Sequence, residues 1–190
     1  MRCQQNRGYT LSSKKNIMDK LQETRIYGVP KMAWSGEEVA KWIRNISSES
    51  IQPNGVDLTV SEIYEVAEKG FLGVKDRVIP SYKLLEGDSW SLKPGAYIVR
   101  YSEWIRIPPN AIGIVLPRSS LLRMGATIFS ALWDSGYEGR GIGLLHVFNP
   151  FGIKIEKGAR IAQIILISAR SSGEYKGIWK GEGKNALETK

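Results

Sequence analysis

The sequence predicts a mainly β domain, a sandwich or barrel with flanking helices on its N-terminal side. Short apolar runs rich in branched and aromatic residues recur from Val56 onward, and Gly-, Pro-, Asn- and Asp-containing turn signals separate them at close intervals. Many short strands at such spacing favour a closed or two-layered β architecture over alternating β and α units. The chain has 190 residues, 42% apolar and 24% charged, which fits one globular domain able to bury a core.

Up to about Ile51 the pattern is helical. Ser35 and Glu38 have the spacing of a capping box, and Val39, Trp42, Ile43 and Ile46 recur at i, i+3, i+4 and i+7. Ile17, Met18 and Leu21 can line a shorter helix before it, and residues 1–34 read as an extension, partly helical. The strand candidates are VDLTV (56–60), AYIVRY (96–101), AIGIVL (111–116), ATIFSALW (126–133), GIGLLHVF (141–148), IKI (153–155) and RIAQIILI (160–167). Together with the leading helix they define a β domain over residues 35–170. Residues 171–190 are rich in Gly, Ser, Lys and Glu and read as a flexible arm that cannot fold alone. Its aromatics, Tyr175 and Trp179, either stack on a ligand or belong to a frayed terminus.

Several classes of function fall away on counting. A single cysteine, Cys3, and a single histidine, His146, permit neither an internal disulfide nor a Cys/His zinc cluster within one chain. No apolar run is long enough to cross a bilayer, and the first residues lack the apolar stretch of a signal peptide, so the expected location is the cytoplasm. The net charge of +8 favours an anionic partner. The lysines form no dense patch, which argues against nucleic acid, and a generally basic solvated surface explains the charge as well, so charge alone decides nothing.

Three stretches can carry chemistry. In PRSSLLRMG (117–125), Arg118 and Arg123 flank Ser119 and Ser120, and guanidinium forks with hydroxyls suit phosphate oxygens. The same residues also suit a plain helix start capped by a serine. In ALWDSGYEG (131–139), Asp134 stands at a strand end, where a carboxylate can orient and deprotonate water, and Tyr137 offers a flat face to a sugar or base. Gly136 and Gly139 allow positive φ or close ligand approach, although an Asx turn opening a hairpin explains Asp134 equally well. Gln163 and Asp57 are polar residues in otherwise apolar strands, and each must find a hydrogen-bond partner in the chain or in a ligand. His146 in its apolar run reads as a packed histidine.

Taken in order, NGVDL (54–58), PRSSLLRMG (117–125), DSGYEG (134–139) and KGARIAQ (157–163) resemble the homotrimeric dUTP diphosphatase and dCTP deaminase superfamily, over about Gln52 to Gln163. The resemblance implies a distorted β-barrel or jelly roll of the beta-clip type, with active sites between neighbouring subunits of a trimer. It implies that Arg118 and Ser119 contact the triphosphate, that Asp134 positions the attacking water, and that Tyr137 stacks under the deoxyribose and leaves no room for a 2′-hydroxyl. By the same resemblance Gln163 serves near the phosphates and Asp57 supports the site. Magnesium would arrive on the triphosphate, without dedicated protein ligands.

Deaminases of this superfamily place a glutamate three residues before an asparagine in the strand after the aspartate motif. The residue three before Asn149 is His146, and counting forward from Asp134 instead reaches Leu144; neither is a carboxylate. The glycine-rich Arg-Gly…Gly-Phe-Gly-Ser arm of the diphosphatases is absent, and YKGIWKGEG (175–183) is similar to the Tyr-x-Gly-Lys-Tyr-Gln-Gly-Gln tail of the deaminase branch, with Glu182 in place of a glutamine. The combination resembles diphosphatases built on the deaminase-like scaffold. The expected activity is hydrolysis of dUTP to dUMP and diphosphate by water attack on the α-phosphorus. The alternatives are dCTP deamination, alone or in a bifunctional enzyme, and a non-catalytic nucleotide-binding trimer.

Overall fold

Six strands carry most of the structure, and their lateral order is not their order in the chain. The computed structural model describes residues 32–184, and the described residues from Ala33 onward belong to one unit. Residues 1–31 of the expected extension, with the short helix around Ile17, lie outside the described residues. Its last two residues belong to the β unit instead: Ala33 bridges to Ile167, and Trp34 is buried with its N–H donating to the Leu166 carbonyl at 2.9 Å.

The chain enters through α1 (Gly36–Ala40), capped as the Ser35/Glu38 spacing predicts: the Ser35 side chain accepts from the Glu38 N–H, and the Glu38 carboxylate accepts from the Ser35 N–H. The helix then stops, one turn after it starts, which corrects the expectation of a helix running on through Ile46. Ile43–Arg44 forms strand β1, and Asn45 takes a left-handed φ of 64° that no helix interior accommodates. Trp42, Ile43 and Ile46 have helical spacing, but aromatic and β-branched side chains suit a pleated surface, and pairing with a later strand wins. A single turn of 3-10 helix (Ser48–Ser50) and the short β2 (Ile51–Gln52) lead into the barrel.

Strand β3 (Gly55–Val66) is the longest and extends well beyond the expected 56–60. A two-stranded ribbon with exposed residues follows, made of β4 (Phe71–Leu72) and β5 (Arg77–Val78), then β6 (Tyr82–Leu84) and β7 (Ser89–Leu92). Next come β8 (Gly95–Tyr101), β9 (Trp104–Arg106) and β10 (Ala111–Pro117). A five-residue helix, α2 (Ser119–Arg123), precedes β11 (Ala126–Phe129), β12 (Glu138–Gly139), β13 (Ile142–Val147), β14 (Ile153–Glu156) and β15 (Arg160–Ser168). The expected strand 126–133 therefore ends at Phe129, and Ser130–Leu132 is loop.

The main sheet runs β10-β15-β3-β8-β13-β11, all antiparallel along this path. Trp133 nearly closes it into a barrel by exchanging both backbone hydrogen bonds with Gly113 of β10, at 2.8 and 3.1 Å. Gly113 permits this approach, since a Cβ there would stand 3.1 Å from the Trp133 Cβ. Alternating residues of the strands, among them Leu58, Ile63, Val99, Leu145 and Ile164, fill the interior and are fully buried. A smaller sheet, β1-β9-β12, takes in Glu138 and Gly139, directly after Tyr137. No helix among the described residues is long and apolar enough to cross a membrane.

Leu145 points inward at the centre of this interior, so Leu145→Ala is expected to cost about 2–5 kcal/mol, read as a lowered urea midpoint at unchanged slope.

Candidate functional site

Two groups of candidate residues occupy different places on the subunit. The first is built on the row β10-β15-β3. Asp57 of β3 and Gln163 of β15 are direct cross-strand partners, and β10 ends beside them at Pro117, which pairs with Ala162. Asp57 is 1% exposed. Its Oδ1 accepts a hydrogen bond from Gln163 Nε2 at 3.3 Å, and its Oδ2 lies 3.1 Å from Arg118 Nε and 3.6 Å from Arg160 Nη1. The contacts at Oδ2 are ion pairs without hydrogen-bond alignment. A buried carboxylate needs compensating charge, and two guanidinium groups supply it.

Arg118 stands at the N-cap position of α2 and uses no side chain to cap it. Ser119 and Ser120 open that helix on its exposed side, and Arg123 closes it. The helix start that the sequence allowed is present, but no serine caps it, and Arg118 is held on Asp57 rather than simply solvated. Arg118 is anchored through Nε on Asp57, its Nη1 donates to the Arg160 carbonyl at 3.5 Å, and the guanidinium stays about a third exposed, where an anion can reach it.

The second group surrounds a cavity of about 430 Å³. Trp133 ends the loop after β11, Asp134 follows it with an exposed side chain, and the chain turns through Ser135 and Gly136 to Tyr137. Backbone bonds tie the turn to Ile107: Gly136 N–H donates to its carbonyl at 3.0 Å, and its N–H donates to the Tyr137 carbonyl at 2.9 Å. Ser135, 2% exposed, donates its hydroxyl to the Ala111 carbonyl at 2.7 Å. Gly136 has φ of 78°, the left-handed conformation this tight turn requires. Asp134 and Tyr137 both line the cavity, whose apolar wall includes Ile79, Leu132, Ile142 and Trp179.

The arm forms the remaining wall. Tyr175 N–H donates to the Ser135 carbonyl at 2.7 Å, Gly181 N–H to the Glu138 carbonyl at 2.7 Å, and Arg140 N–H to the Glu182 carbonyl at 3.0 Å. Residues 175–182 are thus docked along the 135–140 segment, where composition alone suggested a loose arm. Gly139 makes room, because a Cβ there would lie 3.0 Å from the Glu182 carbonyl oxygen. Tyr137 is only 7% exposed, with its ring edge-to-face against Trp133 (centroids 5.0 Å) and Tyr175 (5.7 Å), and its hydroxyl donates to Glu182 Oε1 at 2.6 Å. Burial and the neighbouring Glu182 carboxylate push the Tyr137 phenol well above its ordinary value. Burial also pushes the Glu182 carboxyl up, opposed by the Tyr137 hydrogen bond and by the charge of Arg100.

Beneath this wall lies a charged network that the sequence did not single out. Arg100 of β8 is 1% exposed and pairs with Glu62, its cross-strand partner on β3, at 3.3 Å. Glu62 also approaches Arg140 at 3.5 Å, and Arg140 donates to Ser61 Oγ at 2.6 Å and to the Tyr101 carbonyl at 3.1 Å. The register of β3 on β8 sets Glu62 against Arg100, and register is not visible in a string of residues.

None of Arg118, Ser119, Ser120, Arg123, Gln163 or Asp57 lines the cavity that Asp134 and Tyr137 share. Trp133 is tied to Gly113, and Arg118 lies five positions farther along from Gly113, about 16 Å away at the rise of an extended strand. Among the described residues the cavity lining holds two carboxylates, Asp134 and Glu182, and no Lys or Arg. No group of three or more His, Cys, Asp or Glu among the described residues is placed to hold a metal ion. Leu144 and His146 share the outer face of β13 with Ile142, and no carboxylate occurs on that face of the strand.

The family model described as dCTP deaminase-like matches residues 33–169, most of the chain. The chain belongs to that family. It is 45% identical over 147 residues to a protein of Aeropyrum pernix named probable deoxyuridine 5′-triphosphate nucleotidohydrolase, covering 74% of this chain and 91% of that one. It is 44% identical to the deoxyuridine 5′-triphosphate nucleotidohydrolase of Methanocaldococcus jannaschii, covering 72% and 91%. Among solved structures, the 2′-deoxycytidine 5′-triphosphate deaminase from Agrobacterium tumefaciens superposes with a TM-score of 0.58 at 20% identity, over 73% of this chain and 48% of that one, a likeness of fold. The dCTP deaminase-like fold thus occurs here in a chain whose curated relatives bear the name of the hydrolase.

Two outcomes follow. Asp57→Asn, which leaves Arg118 and Arg160 without their counter-charge, is expected to lower stability by about 2 kcal/mol, a value kept low because both guanidinium groups are about a third exposed; equilibrium urea unfolding checks it. For Glu182 the sign follows from its raised value: docking of the arm is favoured most below the ordinary carboxylate range and weakens as pH rises through the raised value. Tryptic cleavage at Lys176 and Lys180 should accelerate over that interval, and Glu182→Gln should flatten the profile.

Proposed function

We propose that this chain is a dUTP diphosphatase that works as a homotrimer, each active site being completed by a neighbouring subunit. The observation that carries this reading is the division of charge within one subunit. The nucleoside-sized cavity carries Asp134 and Glu182 but no cation among its described lining, whereas Arg118 and Arg160 gather on Asp57 outside it. A triphosphate held only by two carboxylates is repelled, so the phosphate-holding residues must come from a second copy. The relatives named as deoxyuridine triphosphate nucleotidohydrolases, at 44–45% identity, support the choice of substrate.

In this reading magnesium–dUTP is the substrate. The nucleoside enters the cavity with its sugar on Tyr137, and the partner subunit's phosphate row, the residues equivalent to Arg118, Ser119 and Gln163, holds the triphosphate; Ser120 and Arg123 stand beside it. Asp134 accepts a proton from a water whose oxygen attacks the α-phosphorus. The bond from that phosphorus to the bridging oxygen breaks, and diphosphate leaves with dUMP as the other product. Positioning and stabilisation of developing phosphoryl charge supply the acceleration. Tyr175 and Trp179, on the docked arm, cover the nucleoside. Leu144 and His146 offer no carboxylate to shuttle protons to a pyrimidine amino group, which favours hydrolysis over deamination.

Diphosphate release should follow addition of dUTP with magnesium, and dCTP should yield no ammonia. Asp134→Asn should lower kcat by about 100- to 10,000-fold while Kd for dUTP changes little. Efficient deamination of dCTP would overturn the assignment.

A further inference from the structure

Among the contacts of the cavity wall, one joins the arm to the tyrosine through a carboxylate that the similar deaminase-branch tail replaces with an amide. Glu182 Oε1 accepts the Tyr137 hydroxyl at 2.6 Å, while the edge of the same ring meets Tyr175, seven residues earlier in the arm. The ring also packs edge-to-face against Trp133. These three contacts together restrict the tilt of Tyr137. Two of them come from the arm, whose backbone is fixed by hydrogen bonds to residues 135, 138 and 140. Arg100, fully buried below, places positive charge near both members of the Tyr137–Glu182 pair and opposes protonation of the carboxyl group.

We propose that Glu182 is a positioning residue that sets sugar selectivity: by holding the Tyr137 hydroxyl it fixes the ring in the plane that leaves no room for a ribose 2′-hydroxyl. This rests on the reading of Tyr137 as the platform under the deoxyribose. Discrimination between deoxyribose and ribose by a ring requires that the ring not yield, since a positioned group must be held within about 0.5 Å or 10–20° to select by fit. A hydrogen bond to a carboxylate is among the stronger neutral-to-charged contacts, and it acts at the end of the ring farthest from the backbone, where tilting would be greatest. The arm is then a selectivity element as well as a cover.

The test uses the full chain and four variants: Tyr137→Phe, Glu182→Ala, Glu182→Gln, and Tyr137→Phe combined with Glu182→Ala. For each, kcat and KM are measured for dUTP and UTP by diphosphate release, and Kd for both nucleotides by competition. Tyr137→Phe and Glu182→Ala should each reduce the ratio of kcat/KM for dUTP to that for UTP about tenfold, chiefly through tighter UTP binding. The double variant should lose no more than either single one. Glu182→Gln, whose amide oxygen still accepts the phenol hydrogen, should keep most of the preference. Equal losses for both nucleotides in Glu182→Ala, or losses that multiply in the double variant, would overturn the proposal. A wild-type chain that binds dUTP but releases no diphosphate would overturn the hydrolase reading instead, and the ratio of Kd values would still decide the role of Glu182.

Discussion

A cavity lined by two carboxylates and no described cation imposes the constraint from which the rest follows. Its apolar and aromatic wall suits a nucleoside, but at contact distances its charge opposes a triphosphate, and the Coulomb term grows as water is excluded. The positive groups that would reverse the sign are present in the chain, anchored about 16 Å along the strand, where Asp57 holds them in place. Each half is locally well built. Asp57 neutralises and orients Arg118 and Arg160, and the hydrogen bonds of the 135–140 segment hold Asp134 out toward solvent. In the proposed reading neither half performs phosphoryl chemistry alone, which would make association of subunits part of the mechanism.

The same economy operates inside the barrel. Glu62 stands between Arg100 and Arg140 and ties β3 and β8 to the segment that follows Tyr137, and the backbone N–H of Arg140 in turn holds the arm. Burying Arg100 carries a large desolvation penalty, which the facing Glu62 offsets. The result is a rigid support under a wall made partly of a C-terminal segment that, judged by composition, has little to fold around.

Much of the fold was legible in the sequence because its signal is local. Branched residues alternating in AIGIVL and RIAQIILI became β10 and β15 within a residue or two, and Ser35 with Glu38 capped a helix as expected. Where local signals competed, the sequence misled: Trp42, Ile43 and Ile46 have helical spacing, yet Ile43 pairs with Ile105 in a strand whose partner lies sixty residues on. The candidate site was legible as a set of residues and not as an arrangement. Asp57, Arg118 and Gln163 meet because β10, β15 and β3 are neighbours in one register, and Asp134 stands apart from them because Trp133 pairs with Gly113. The docking of Glu182 on Tyr137 left no trace beyond one departure from a tail pattern, since a hydrogen bond across 45 residues has no periodicity.

The most direct test of the divided site is complementation between two inactive variants. Asp134→Asn and Arg118→Ala chains, each expected to lose hydrolysis of dUTP alone, are unfolded together, refolded as a mixture and assayed for diphosphate release. On the proposed assignment one variant retains the carboxylate that orients water and the other the guanidinium that holds phosphate, so the mixture should regain a substantial part of the wild-type rate, in proportion to the interfaces that pair the two intact halves. Refolded mixtures that form mixed assemblies yet stay as inactive as either parent would contradict it.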